Sequence, residues 1–229
     1  FMYFYAAMIY YIATMIKARG QKMPKQVYFS GTGSKMLNIL GGHSQVEEFT
    51  RLIIEKVSGE AYKEHFEVKV EKDQPKQITC RGGVRLENKR LEGKENSEMY
   101  SPRNINRIKY CYSMIDDREL TFGDVNKQDI RAIIVDKVLE FNQFFLSLLS
   151  TDVCDEFGID KKVQNLFASV VNDDVSNYLT AGINSYLAGR YGDDDVVEDV
   201  PFFYPIVGVI RHNLLKNLCH EVISRYGIN

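Results

Sequence analysis

The stretch PKQVYFSGTGSKMLNILGG, Pro24 to Gly42, decides how the chain is read. Pro24 and Gly31 bound a short apolar burst, Val27-Tyr28-Phe29, which predicts a strand. Ser30-Gly31-Thr32-Gly33-Ser34 then forms a small-residue turn, and Lys35 to Leu40 begins a helix that Gly41-Gly42 interrupts. A strand, a small-residue turn and a helix is a recurring way to hold a phosphate. Glycines let backbone approach a ligand, and the amides of Ser34, Lys35 and Met36 would form a helix N-terminus that suits an anion. Ser30, Thr32 and Ser34 add hydroxyls. The loop fits neither the P-loop pattern, since Lys35 is followed by Met36, nor Gly-x-Gly-x-x-Gly, since Met36 stands at the third glycine position.

Outward from this loop the pattern alternates between helix and strand. Residues 1–19, FMYFYAAMIYYIATMIKAR, read as a mostly buried helix closed by Gly20. Lys17 and Arg19 cut the apolar run at 16 residues, short of the ~20 that a membrane span needs. Positive charge follows the apolar part, whereas a signal peptide carries it in front. The expectation is a buried helix of a larger domain cut at its front end; a membrane anchor built on residues 1–16 is the least favoured alternative. The aromatic residues of this run read as core packing rather than base stacking, since no basic patch adjoins them.

Downstream, apolar residues at 46, 49, 52, 53, 54 and 57 have helical spacing, with Ser44 and Glu47 as a capping pair and Gly59 as the stop. Phe66, Val68 and Val70 alternate as a strand. A second small-residue turn, CRGGV at Cys80–Val84, opens another helix.

Helix, strand, glycine turn, helix, strand, second glycine turn: this order over residues 1–90 resembles the closing part of the ATPase domain of the actin and heat-shock chaperone superfamily, to which sugar kinases also belong. The pieces that carry the likeness are FYAAMIYYIATMIKARG, QVYFSGTGSKM, FEVKV, QPKQ and CRGGV. The resemblance implies ATP, as Mg-ATP, as the ligand of the full-length protein. Gly31 and Gly33 would approach the nucleoside and α-phosphate. Thr32 separates these glycines, where relatives have adjacent ones. Ser34 would offer a hydroxyl, Lys35 would lie near the adenine, and Gly82 would match the glycine of the second turn, in which Cys80 stands where alanine is common. The family's phosphate hairpins and catalytic acids belong to an N-terminal lobe. No Asp-x-Gly turn precedes Gly31. The expected role is thus one wall of a two-lobed cleft, not catalytic alone, with the missing lobe as its partner. The alternative is a non-catalytic interaction or scaffold module with a degenerate ATPase-like core.

The second half reads differently. Leu91–Asn104 is polar, with glycine and proline, and serves as a linker or long loop. Ile108, Tyr110, Tyr112 and Met114 alternate, Asp116-Asp117 signals a turn, and Leu120 and Phe122 alternate again, which predicts a β-hairpin. From Asp124 the periodicity becomes helical. Ile130, Ile133, Ile134, Val138, Phe141, Phe145 and Leu148 share one face of a long helix. Helices around 160–172, 174–190 and 205–226 follow, the second capped by Asp173-Asp174 and the last entered through VPFFYPIVGV. The expected fold is α/β over 1–90, half of an actin-like ATPase domain, then a hairpin and an all-α domain over 91–229 that offers a surface to a protein partner.

Composition narrows the function classes. The 229 residues are 45% hydrophobic and 26% charged, as in folded chains. Their 29 Lys and Arg against 31 Asp and Glu argue against a protein built to hold nucleic acid. Cys80, Cys111, Cys154 and Cys219 are far apart and form no Cys-x-x-Cys pair, which reads as reduced thiols in a cytoplasmic protein. His212 and His220, eight residues apart, would stand roughly 12 Å apart on a helix, too far to share a metal. His43 is a possible ligand contact beside the glycine loop. The acidic run GDDDVVED, Gly192–Asp199, lacks the alternation of a calcium loop and reads as solvated.

Overall fold

A computed structural model describes residues 1–18, 20–62, 65–71, 77, 81, 84, 85, 88, 114, 115, 118, 119, 127–170, 175–177, 180, 181, 219, 220, 223 and 224. The protein is mostly helical, with a small two-stranded parallel sheet.

Helix α1 spans Met2–Ala18. A helix apolar all round must be covered on several sides, and α1 buries Tyr3, Tyr5, Ala6, Ala7, Ile9, Tyr11 and Ala13. No described helix is long and apolar enough to cross a membrane. Strand β1, Gln26–Phe29, follows, and then a 3-10 helix over Thr32–Leu40.

Helix α2, His43–Ser58, starts one residue ahead of the expected Ser44 cap. Gly42 is the cap residue, and its N–H donates to Gln45 Oε1 at 2.6 Å. Extended backbone at Gly42 moves the cap two residues ahead of Ser44, so Ser44 becomes the second residue of the helix. Gly59 closes α2 in the left-handed conformation at φ 80°, its N–H donating to the Glu55 carbonyl at 2.8 Å, as the sequence indicates.

Strand β2, Glu67–Val70, pairs parallel with β1 in the register Val27 opposite Val68. Val68 is fully buried, and the Tyr5 ring of α1 lies 5.9 Å from Phe29. The helices therefore cover the Val27–Phe29–Val68 face of the sheet. Gln26, Tyr28, Glu67 and Lys69 alternate onto the opposite face, where Gln26 Nε2 donates to Glu67 Oε2 at 2.8 Å.

In the second half, β3 (Met114–Ile115) and β4 (Arg118–Glu119) pair antiparallel, with Ile115 opposite Arg118. This is the centre of the hairpin read from the sequence; its turn at Asp116-Asp117 and its outer arms lie outside the described residues. Helix α3 spans Gln128–Leu148 and buries Ile130, Val138, Phe141, Phe145 and Leu148, the face expected from spacing. The short helix α4, Thr151–Glu156, was not anticipated; Ser150 caps it, accepting from the Val153 N–H at 3.4 Å. Helix α5 covers Lys161–Val170, with Asp160 Oδ1 accepting from the Val163 N–H at 2.8 Å.

One apolar core joins both halves of the chain, from Tyr3 to Val175. The Tyr3 ring lies 5.2 Å from Phe141, 5.0 Å from Phe145 and 4.9 Å from Phe167, so α1, α3 and α5 meet around it. The Tyr3 hydroxyl donates to the buried Asn142 amide oxygen, which satisfies a polar residue on the apolar face of α3. Lys56 Nζ donates to the Ser147 carbonyl at 2.6 Å and pins α2 to α3.

Candidate functional site

The segment after β1 is shaped by a three-residue period. In a 3-10 helix, residues three apart eclipse one another, so side chains fall into three stripes. Ser34, Leu37 and Leu40 form the buried stripe. Met36 and Ile39 form a second, 51% and 66% exposed. Lys35, Asn38 and Gly41 form the third, and this one lines a cavity of about 350 Å³. Gly42, His43 and Val46 of the α2 start, with Val70 and Glu71 at the end of β2, complete its wall.

The position matters. In open α/β sheets, ligands bind beyond the carboxyl ends of the strands, and the cavity lies at that end of β2. The N-terminus of α2 contributes the positive end of a helix dipole, and Lys35 adds a full charge. Leu37, Val46 and Val70 give an apolar floor. Glu71 Oε2 accepts the Tyr28 hydroxyl at 2.7 Å, and this bond raises the Tyr28 pKa above its ordinary value. His43 Nε2 stands 3.8 Å from Glu47 Oε2. Such a wall can seat a ligand with an anionic part against Lys35 and α2, an apolar part on the floor, and a hydroxyl at Glu71.

The sequence-derived residues take different places. Lys35 and His43 line the cavity. Ser34 faces inward, and its N–H and Oγ both donate to the Gly31 carbonyl, at 3.1 and 2.7 Å. Gly31 adopts φ 89°, ψ 160° as the entry to the 3-10 helix, and Gly33 is exposed within it. Thr32 is the first residue of that helix. Gly82, Cys80, the acidic run at 192–199 and His212 lie outside the described residues. Asn38, Gly41, Gly42 and Glu71 were not singled out by sequence reasoning. The adjacent Gly41-Gly42 pair was the available signal, for it sits where the chain must turn sharply against a ligand-sized space. Gly41 has φ 119°, and a Cβ there would fall 2.0 Å from Gln45 Oε1, the atom that caps α2.

Among the described residues no group of three or more His, Cys, Asp and Glu is placed to hold a metal. Cys154 is buried and Cys219 exposed, both as free thiols. Comparison of the chain with protein-family profiles, with curated proteins and with solved structures finds no match.

Proposed function

We propose that this chain forms one wall of a nucleotide cleft, taking ATP in a larger ATPase of the actin and heat-shock chaperone kind. In this reading the chain binds and orients the nucleotide, and a second lobe supplies the phosphate hairpins and catalytic acids. The observation that carries it is the cavity of about 350 Å³ in which Lys35, Asn38, Gly41, Gly42 and His43 converge at the carboxyl end of the parallel pair. In this pocket the phosphates, rather than the adenine that the resemblance places beside Lys35, would lie toward Lys35 and the α2 N-terminus, the base on Leu37, Val46 and Val70, and a ribose hydroxyl at Glu71.

The test is thermal unfolding and calorimetric titration of the full-length protein with Mg-ATP and Mg-ADP. A ligand at a hundred times its Kd stabilises the native state by about 2.7 kcal/mol, a rise of several degrees in Tm. Lys35→Ala should weaken binding about tenfold, the scale of one charge-assisted hydrogen bond. The alternative, a non-catalytic interaction module, draws on the exposed Met36–Ile39 stripe. It gains if saturating nucleotide leaves Tm unchanged.

A further inference from the structure

Helix α2 carries a second working face. Glu48, Leu52 and Glu55 repeat at the helical period and share one side of it. A cavity of about 260 Å³ separates them from α4. This cleft has no residue in common with the cavity beside Lys35. Hydrogen bonds hold its two walls at either end: Gln45 Nε2 donates to the Glu156 carbonyl at 3.4 Å, and Lys56 Nζ to the Ser147 carbonyl at 2.6 Å. The floor is apolar. The Phe49 and Phe157 rings lie 5.3 Å apart, between Leu52 on one wall and Val153 on the other. The rim is acidic, with Glu48 and Glu55 on α2 and Asp152 and Glu156 on α4. Arg51 also lines the cleft, with Nη2 3.6 Å from Glu48 Oε1, so acids outnumber bases four to one. Glu55 Oε1 accepts the Tyr62 N–H at 2.7 Å.

The α4 acids sit where they cost stability. Like charges four residues apart on a helix repel, and Glu156 ends α4, where the helix dipole disfavours an anion. A cation in the cleft relieves both. Among the described residues the acids do not converge closely enough to hold a metal ion, so the cation has to be extended. A guanidinium meets the demand: it forks onto carboxylates and stacks on aromatic rings. Glu48, Asp152 and Glu156 are exposed, and an exposed ion pair is worth little by itself. The occupant must therefore also gain from the apolar floor. We propose that the cleft between α2 and α4 docks an arginine-bearing segment of a partner polypeptide. The guanidinium lies between Glu55 and the Asp152–Glu156 pair, and a neighbouring apolar side chain covers Leu52 and Val153. This proposal does not depend on the nucleotide reading.

The probe is a fluorescent peptide, RLARLA, with the acidic peptide ELAELA and free arginine amide as comparisons. Anisotropy with the 229-residue chain should show saturable binding of RLARLA that weakens with added salt, and no binding of ELAELA. Asp152→Asn and Glu156→Gln should each weaken RLARLA at least threefold, and the double variant at least tenfold. Asp155→Asn makes the same change of charge on the same helix but outside the cleft, and should stay within twofold. Glu156→Gln should leave Tm unchanged or raise it, which separates a lost contact from a damaged fold. The proposal is overturned if RLARLA does not bind, or if Asp155→Asn weakens it as much as the two cleft variants, the mark of general charge attraction. Arginine amide that binds as tightly as the peptide overturns it in favour of a small-molecule site. Self-association in analytical ultracentrifugation, abolished by Glu156→Gln, overturns it in favour of a second copy.

Discussion

Gly31 and Gly33 look equivalent in the sequence, and the structure separates them. Gly31 occupies φ 89°, ψ 160°, a region that side-chain-bearing residues rarely adopt, although a Cβ there would meet nothing within 4 Å. Its requirement is conformational. Gly33 lies inside the 3-10 helix, is not among the positive-φ glycines, and also has open space around its Cβ position. Gly31→Ala should therefore cost about 1–3 kcal/mol in urea unfolding. Gly33→Ala should be neutral or add about 0.4–1 kcal/mol through the unfolded chain. Equal losses at both positions would show that the space around the glycines, not the φ of one of them, is what the loop needs. A similar distinction holds at Ser34: residue type suggests a ligand hydroxyl, whereas the hydroxyl closes its own turn on the Gly31 carbonyl at 2.7 Å. A serine one turn into a tight helix has a backbone acceptor within reach, and sequence alone does not reveal which partner wins.

At the scale of elements, the segment Thr32–Leu40 shows what was legible and what was not. A helix there, broken at Gly41-Gly42, was readable from propensity and breakers. Its three-residue period was not, because a nine-residue 3-10 helix is unusual and is set by the core it packs against. The period has a measurable consequence. Leu37→Ala and Leu40→Ala should each cost about 2–5 kcal/mol, since both side chains are buried. Met36→Ala and Ile39→Ala should stay within about 0.5 kcal/mol, as expected of exposed positions. Guanidinium unfolding of the four variants checks this, and a large loss at Ile39 would mean that its stripe is covered. Helices α1, α2 and α3 and strand β2 were legible because periodicity reports a buried face directly, as Val68 and Phe141 illustrate. The parallel pairing of β1 with β2 follows from the intervening α2, as in any strand–helix–strand unit. Helix α4 escaped because six residues carry too little periodicity to register, with the Ser150 cap as its sole strong mark. The cavity was half legible. Lys35 and His43 adjoin the glycine loop, whereas Glu71 directly follows β2 and is brought there by the pairing of that strand with β1.

For the whole molecule, the deciding feature is that α1 lies at the centre of a core shared by both halves, and that it carries buried tyrosine hydroxyls into that core. Thr50 Oγ1 donates its one hydrogen to the Val46 carbonyl at 2.5 Å, so the Tyr5 hydroxyl must donate to Thr50. Burial pushes the Tyr5 pKa up to about 12 and raises that of Tyr3 well above its ordinary value. Burial, with the nearby Glu55 charge, pushes Tyr62 to about 12 as well. An unfolded tyrosine titrates near 10. A folded pKa above the unfolded one means that the native state holds its proton longer, so the stabilisation is intact below pH 10. It is lost as pH rises from about 10 through 12, at up to about 1.4 kcal/mol per pH unit for a fully buried tyrosine such as Tyr5, and at less for the partly exposed Tyr62, which solvent screens. Tm should therefore hold between pH 7 and 9 and fall steeply above 10. Tyr5→Phe separates the two contributions of the hydroxyl. At pH 8 the variant should be about 1 kcal/mol less stable, for the lost hydrogen bond. Between pH 10 and 12 it should lose stability more gradually than the wild type, because one withheld proton is gone. Parallel falls in the two proteins would mean that the Tyr5 hydroxyl ionises as freely in the native state as in the unfolded chain, and that α1 is not sealed between α2 and α3.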